Sequence, residues 1–212
     1  MFLSRRKFLN YINCTGLTAI STPLFGSIQS SDNHHLLNYF KFSVGEIKIT
    51  VVSDGGFQLP ISSIDINSSE ENLKNHLKHY HMQEDHIYMN TNLAVIEVED
   101  KKLLIDVGSG SRFIGNTGKL FDNLSKANID PESITNVFLT HAHPDHILGI
   151  RDDFDETIFP DAEFMISEKE YGWWTKKNRV NEVDETFMQM VLWAQNSLNA
   201  VSYTHLRAHE TG

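Results

Sequence analysis

The chain has 212 residues, which is one domain of ordinary size or one plus a tail, with room for a sizeable core. Its composition, 40% hydrophobic, 22% charged and 10% aromatic, excludes a disordered chain, a collagen-like repeat and a multispan membrane protein. A formal charge of -10 disfavours nucleic acid as a partner, because a polyanion is repelled by such a surface.

The charge is uneven along the chain. The first 31 residues hold Arg5, Arg6 and Lys7 and no acid, whereas residues 31–200 hold 14 basic and 27 acidic side chains. Ser4-Arg5-Arg6-Lys7-Phe8-Leu9, followed by an uncharged and mildly apolar run to Ser31, resembles a twin-arginine export signal over residues 1–30. That resemblance implies the export machinery as a partner and a periplasmic location. The bland reading is a basic tail that happens to carry two arginines. Asn10, Asn13, Gly16 and Pro23 interrupt the run, which falls short of the roughly 20 apolar residues of a bilayer span, so no stable membrane span is expected. The only cysteine, Cys14, lies in this segment. Metal or nucleophile chemistry in residues 31–200 must therefore use histidine and carboxylate, not thiolate.

Phe40 to Val52 alternates apolar and polar residues around Gly45, which predicts a hairpin with one buried face, broken by Ser53-Asp54-Gly55-Gly56. Residues 69–82 read as a helix, with Leu73 and Leu77 on one face and Glu70 and Glu71 in the first turn. A second hairpin follows: Thr91 to Val98, a turn at Glu99-Asp100-Lys101-Lys102, and Leu103 to Val107, closed by Gly108-Ser109-Gly110. A helix is expected over 118–127, a helical turn at Pro131, and a strand over Asn136 to Leu139. Glu163 to Ile166 reads as a strand, Ser167 as the cap of a helix with Glu170 three residues on, and 182–198 as an amphipathic helix. Strands first, then mixed helix and strand, is an α/β or α+β plan.

Residues 201–211, Val-Ser-Tyr-Thr-His-Leu-Arg-Ala-His-Glu-Thr, match a translated transposase-type sequencing adapter. Residues 201–212 are therefore expected to be a non-native tail, and His205 and His209 are left out of the site. A natural polar terminus is the alternative. On the first reading the natural protein continues past Ala200 and the folded domain spans 31–200.

One cluster stands above the rest: His141-Ala142-His143-Pro144-Asp145-His146, directly after the strand that ends at Leu139. Three imidazoles and a carboxylate in six residues make a poor core segment, since each would be buried polar or exposed without purpose. As metal ligands they make sense, because neutral imidazole and carboxylate suit zinc and related divalent ions. On a loop leaving a strand, His141 and His143 can share one cation while Asp145 and His146 turn toward a second position.

His-Ala-His-Pro-Asp-His followed by Gly149 resembles the signature of the metallo-β-lactamase fold superfamily. Leu104-Ile105-Asp106-Val107-Gly108 is similar to the strand motif that precedes it, and Thr91-Asn92-Leu93 to the loop that opens that hairpin. Ser53-Asp54-Gly55, Leu59-Pro60 and Phe159-Pro160-Asp161-Ala162 are more narrowly similar to the methyl parathion hydrolase and quorum-quenching lactonase branch. The resemblance implies an αββα sandwich, two mixed sheets back to back with helices outside, incomplete here in its C-terminal half. It also implies two divalent metal ions, zinc foremost, with His141 and His143 on the first and Asp145 and His146 on the second. Asp145 would also handle a proton, and Asp106 would orient a ligand imidazole through a hydrogen bond. The implied reaction is attack of a metal-bound hydroxide on an ester, lactone or phosphotriester centre of a small molecule. A third histidine for the first metal, a bridging aspartate and a last histidine would lie past residue 200, so this stretch is expected to be inactive alone. Other readings are an oxidoreductase or thioesterase on the same ligands, iron-dependent persulfide and flavodiiron types included, or a non-catalytic metal-binding member. Self-association as a homodimer stays open.

Several residues carry two readings. Asp106 is either that orienting acid or a turn former before Gly108, and Asp54 is either a site-facing acid or a turn residue before Gly55. His76, His79, His81 and His86 are a second metal site or, more simply, a solvated helix end beside Glu84 and Asp85. Trp173 and Trp174, with Tyr171, wall a pocket or oligomer contact, or pack in the core. A serine triad has no support, since no Gly-x-Ser-x-Gly occurs.

Overall fold

The structure, a computed structural model, describes residues 37–64, 67–202 and 206–209. The signal-like residues 1–30 lie outside them, as do 203–205 and 210–212 of the tail. A mixed seven-stranded sheet runs in chain order: β1 (Tyr39–Val44), β2 (Ile47–Pro60), β3 (His86–Val98), β4 (Lys101–Ile105), β5 (Asn136–Leu139), β6 (Glu163–Ser167) and β7 (Leu206–His209). Neighbours are antiparallel from β1 to β4 and parallel from β4 to β7. The helices are α1 (Glu70–His79), α2 (Leu120–Lys126), the single turn α3 (Pro144–Ile147), α4 (Glu168–Thr175) and α5 (Glu185–Ser202).

One face of the sheet is the core. Val52, Leu93, Val95, Leu104, Val137, Leu139, Phe164 and Ile166 are buried in one cluster with Leu120 and Leu124 of α2, Trp174 of α4, and Val191, Ala194, Leu198 and Val201 of α5. The last four recur at helical spacing, so α5 closes the core with a single apolar stripe. The other face is apolar too. Along the register it carries the row Phe40, Val51, Ala94, Ile105, Phe138, Met165 and beside it Phe42, Ile49, Ile96, Leu103. Phe40, Phe42 and Phe138 are exposed. A sheet with two apolar faces is built to be covered twice, and the described residues supply one sheet and one covering layer of helices.

Three expectations need correction. The first hairpin forms around Gly45, yet β1 is exposed along its whole length; only β2 is buried. β1 lies at the sheet edge, where its Phe40, Phe42 and Val44 point to the outer face. Second, Ser53-Asp54-Gly55-Gly56 does not break the strand: the ladder shifts register between Ser53 and Gly55 and continues to Pro60. The extra residue is Asp54, with Gly55 at φ 97°, a β-bulge that turns the acid inward. Third, α4 starts where Ser167 places it, but the serine side chain makes no capping bond, and Glu170 is bound elsewhere.

Leu206–His209, set aside from the sequence as part of a non-native tail, pairs in parallel with Phe164–Ser167 of β6. The pairing covers donors and acceptors that an edge strand would leave open. No helix among the described residues is long and apolar enough to cross a membrane.

Candidate metal centre

The histidine run is presented by short secondary structure. β5 ends at Leu139, His143 is extended at φ -72° and ψ 155°, and Pro144 opens α3, where its fixed φ suits the first helical position. Two backbone bonds fasten this turn to the loop after β4: Val107 N–H donates to His146 O at 2.9 Å, and Gly149 N–H donates to Gly108 O at 3.0 Å. Gly149 is needed for that approach, because a Cβ there would stand 1.9 Å from Val107 O. The glycine two positions beyond Ile147 is therefore a packing requirement of the loop.

Asp106 sits at the end of β4 with φ 59°, a left-handed conformation uncommon outside glycine but tolerated by aspartate, and several bonds hold it there. Its N–H donates to Phe138 O at 2.9 Å. Its Oδ1 accepts from Thr140 N at 2.7 Å, and its Oδ2 lies 2.7 Å from Thr140 Oγ1 and 2.9 Å from His146 Nδ1. The side chain is 6% exposed. Asp106 thus meets the imidazole of His146 as well as the Thr140 backbone and hydroxyl.

With Nδ1 held by Asp106, His146 turns Nε2 toward Asp145, whose Oδ2 is 3.3 Å away. Burial works against the charged ring, but the hydrogen bonds to Asp106 and Asp145 outweigh it and His146 is pushed up to about 9. Asp145 moves the other way: burial alone would raise it, and the bond and charge of His146 bring it below the usual aspartate value. His141 is held down, first by burial and then by the neighbouring His146 and His143. Its ring lies 3.9 Å from that of His146 and 4.6 Å from that of His143. His143 is braced edge-on by Trp174 at 5.7 Å.

The peptide between the first two histidines has its own anchor. Ala142 N–H donates to Glu170 Oε1 at 2.9 Å, and the same oxygen accepts from Trp174 Nε1 at 2.6 Å. No local sequence signal could have shown this, since Glu170 lies 28 residues from Ala142. Thr140, adjacent to the motif, carries no ligand chemistry of its own, so no sequence signal marks its contacts with Asp106 and His141.

The remaining candidates separate cleanly. Asp54 is fully buried, its Oδ2 accepting from Ser109 N at 2.8 Å and its Oδ1 from Leu120 N at 2.9 Å. Burial raises its pKa despite those bonds. It ties β2 to the loop after β4 and to α2, and it faces a cavity of about 180 Å³ lined also by Gly110, Leu120, Phe121, Arg151 and Phe159, not by the histidines. His76 and His79 pack on Tyr80, and His86 pairs with Asp85 at 2.7 Å. Trp174 is buried core, while Trp173 is partly exposed under the Arg179 guanidinium, 4.3 Å from its ring centre.

Among the described residues no group of three or more histidine, cysteine or acid side chains converges to hold an ion. His141, His143, Asp145 and His146 are brought together, with His141 and His146 in ring contact rather than with their nitrogens meeting at one point. Their chemistry fits a divalent cation: three imidazoles and a carboxylate, with the Nδ1 of His146 bonded to Asp106, so that its Nε2 is the atom presented.

Residues 88–181 match the family model of the metallo-beta-lactamase superfamily. No curated protein matches the chain. Among solved structures, AidC, a dizinc quorum-quenching lactonase in complex with a product, is 29% identical with a TM-score of 0.75 over 82% of this chain and 61% of that one. The hydrolase AbOPH of the beta lactamase superfamily is 22% identical, with a TM-score of 0.75 over 84% of this chain and 62% of its own. A probable metal-dependent hydrolase from Staphylococcus aureus is 21% identical, with a TM-score of 0.63 over 80% and 61%. The chain thus spans about three fifths of the length of the structures it matches. Family model, sheet order and structural likeness agree that the chain carries the metallo-β-lactamase superfamily fold.

Proposed function

We propose that this chain is the site-bearing part of a metal-dependent hydrolase acting on a small molecule with an ester, lactone or phosphotriester centre. The observation that carries the reading is the Asp106–His146–Asp145 chain of contacts, which sets a ligand-type imidazole and a carboxylate side by side on the loop that also holds His141 and His143. The similarity to a dizinc lactonase supports the lactone among these substrates.

In this reading His141 and His143 hold one divalent ion and Asp145 and His146 a second, zinc in both places. Such ions supply Lewis acidity and lower the pKa of water to about 7. The chain's own residues do the rest. Asp106 fixes the tautomer and direction of His146, and Glu170 with Trp174 fixes the His141–His143 peptide and ring. Asp145, 22% exposed, is placed to carry a proton to solvent. The further donors are proposed to come from beyond residue 200, so the chain alone binds metal weakly and turns over little. Export to the periplasm by the twin-arginine machinery rests on Ser4 to Leu9 and the run that follows.

The test is zinc content and hydrolysis of lactones and aryl phosphotriesters by a version extended in frame past Ala200. Stoichiometric metal and activity abolished in His143→Ala are expected. Absence of bound metal, or unchanged activity in that variant, overturns the reading.

A further inference from the structure

Thr140 is not a ligand, yet its hydroxyl touches the orienting acid and the first histidine at once: Oγ1 lies 2.7 Å from Asp106 Oδ2 and 3.0 Å from His141 Nδ1. A hydroxyl has one proton to give and lone pairs to accept with, while a carboxylate only accepts. Asp106 Oδ2 therefore takes the Thr140 proton, as it takes that of His146 Nδ1. With its proton committed, the Thr140 oxygen can only accept from His141, so the proton of a neutral His141 ring must sit on Nδ1. The Thr140 backbone leaves the hydroxyl little choice, because its own N–H is bound at 2.7 Å to Asp106 Oδ1. One buried carboxylate thereby sets the direction of two imidazoles, His146 directly and His141 through a single intervening hydroxyl.

We propose that Thr140 is a positioning residue: it relays Asp106 to His141 and holds that ring in the Nδ1–H form, leaving Nε2 as the bare nitrogen. That Nε2 is then a metal ligand rests on the reading above; the hydrogen-bond order does not. Thr140→Val keeps the branched shape and removes the relay, whereas Thr140→Ser keeps the hydroxyl.

The experiment uses the 212-residue chain labelled with ¹⁵N-histidine, free of metal, with the His141 signals assigned by their loss in His141→Gln. The wild type and Thr140→Ser are expected to show one Nδ1–H tautomer at His141, and Thr140→Val a mixture. Zinc titration is expected to show about tenfold weaker binding in Thr140→Val, the usual scale for loss of a partner behind a ligand, with recovery in Thr140→Ser. An Nε2–H tautomer in the wild type overturns the proposal without recourse to any variant. So does Thr140→Val, folded by circular dichroism, with a single unchanged tautomer, or with unchanged zinc affinity where the wild type binds zinc. A wild type that shows the Nδ1–H form but binds no zinc still supports the relay, and the metal-centre reading is then decided by the version extended past Ala200.

Discussion

Asp106 Oδ2 and His146 Nδ1 are 2.9 Å apart although 40 residues separate them in the chain. The contact joins the end of β4 to the turn after β5. Because Asp106 also satisfies Thr140 N and Oγ1, Asp106→Ala strands several polar groups and keeps a non-glycine residue at positive φ. A loss of about 2–4 kcal/mol is expected. Asn tolerates that backbone and retains an acceptor, so Asp106→Asn should cost less than half as much. Urea unfolding of the two variants checks the order.

The raised pKa of His146 makes stability depend on pH. A ring whose folded value, about 9, exceeds its ordinary 6.5 adds stability that is fully present below about pH 6.5 and is lost as pH rises through about 9. In chelator, the thermal midpoint should fall across that window. On the proposed metal reading, zinc at His146 displaces the same proton, so its apparent affinity should rise about tenfold per pH unit there, with a proton released on binding. In His146→Gln both slopes should flatten.

Gly149 approaches Val107 O more closely than any side chain would permit. Gly149→Ala is expected to lower stability by more than about 2 kcal/mol, since backbone would have to move. Gly172, inside α4, has nothing within 4 Å of a built Cβ. Gly172→Ala should stabilise by about 0.5–1 kcal/mol through helix propensity. Denaturant midpoints of the pair should shift in opposite directions.

Glu170→Ala leaves Ala142 N–H and the Trp174 indole N–H without their acceptor. A cost of about 1–3 kcal/mol is expected, with a change in Trp174 emission. Glu170→Gln keeps an acceptor oxygen and should retain most of the stability. Equal losses in the two variants would show that charge rather than hydrogen bonding matters.

The outer sheet face bears Phe40, Phe42 and Phe138 in the open. The chain by itself should therefore bind an apolar dye and self-associate with concentration. Phe42→Ser with Phe138→Ser should reduce both, measured by dye fluorescence and light scattering, while leaving the secondary structure unchanged.

Hairpins, helices and the β5 boundaries could be read from alternation and periodicity, because those patterns are local. So could the ligand types, since three imidazoles and a carboxylate in one short loop have few other uses. The sequence left Asp106 and Asp54 alike, each an acid close before glycine at a strand end or break. Tertiary structure separated them: Asp106 meets an imidazole, while Asp54 is sealed against the Ser109 and Leu120 amides by a bulge. It also moved Glu170 from a helix cap to the peptide between two histidines, a contact no spacing rule contains. What the sequence by itself determined is which chemistry the loop can support. That His146 turns Nδ1 to Asp106, and that Glu170 braces the His141–His143 peptide, was decided by groups distant in sequence, because hydrogen bonds between strand ends depend on register and packing rather than on neighbouring residues.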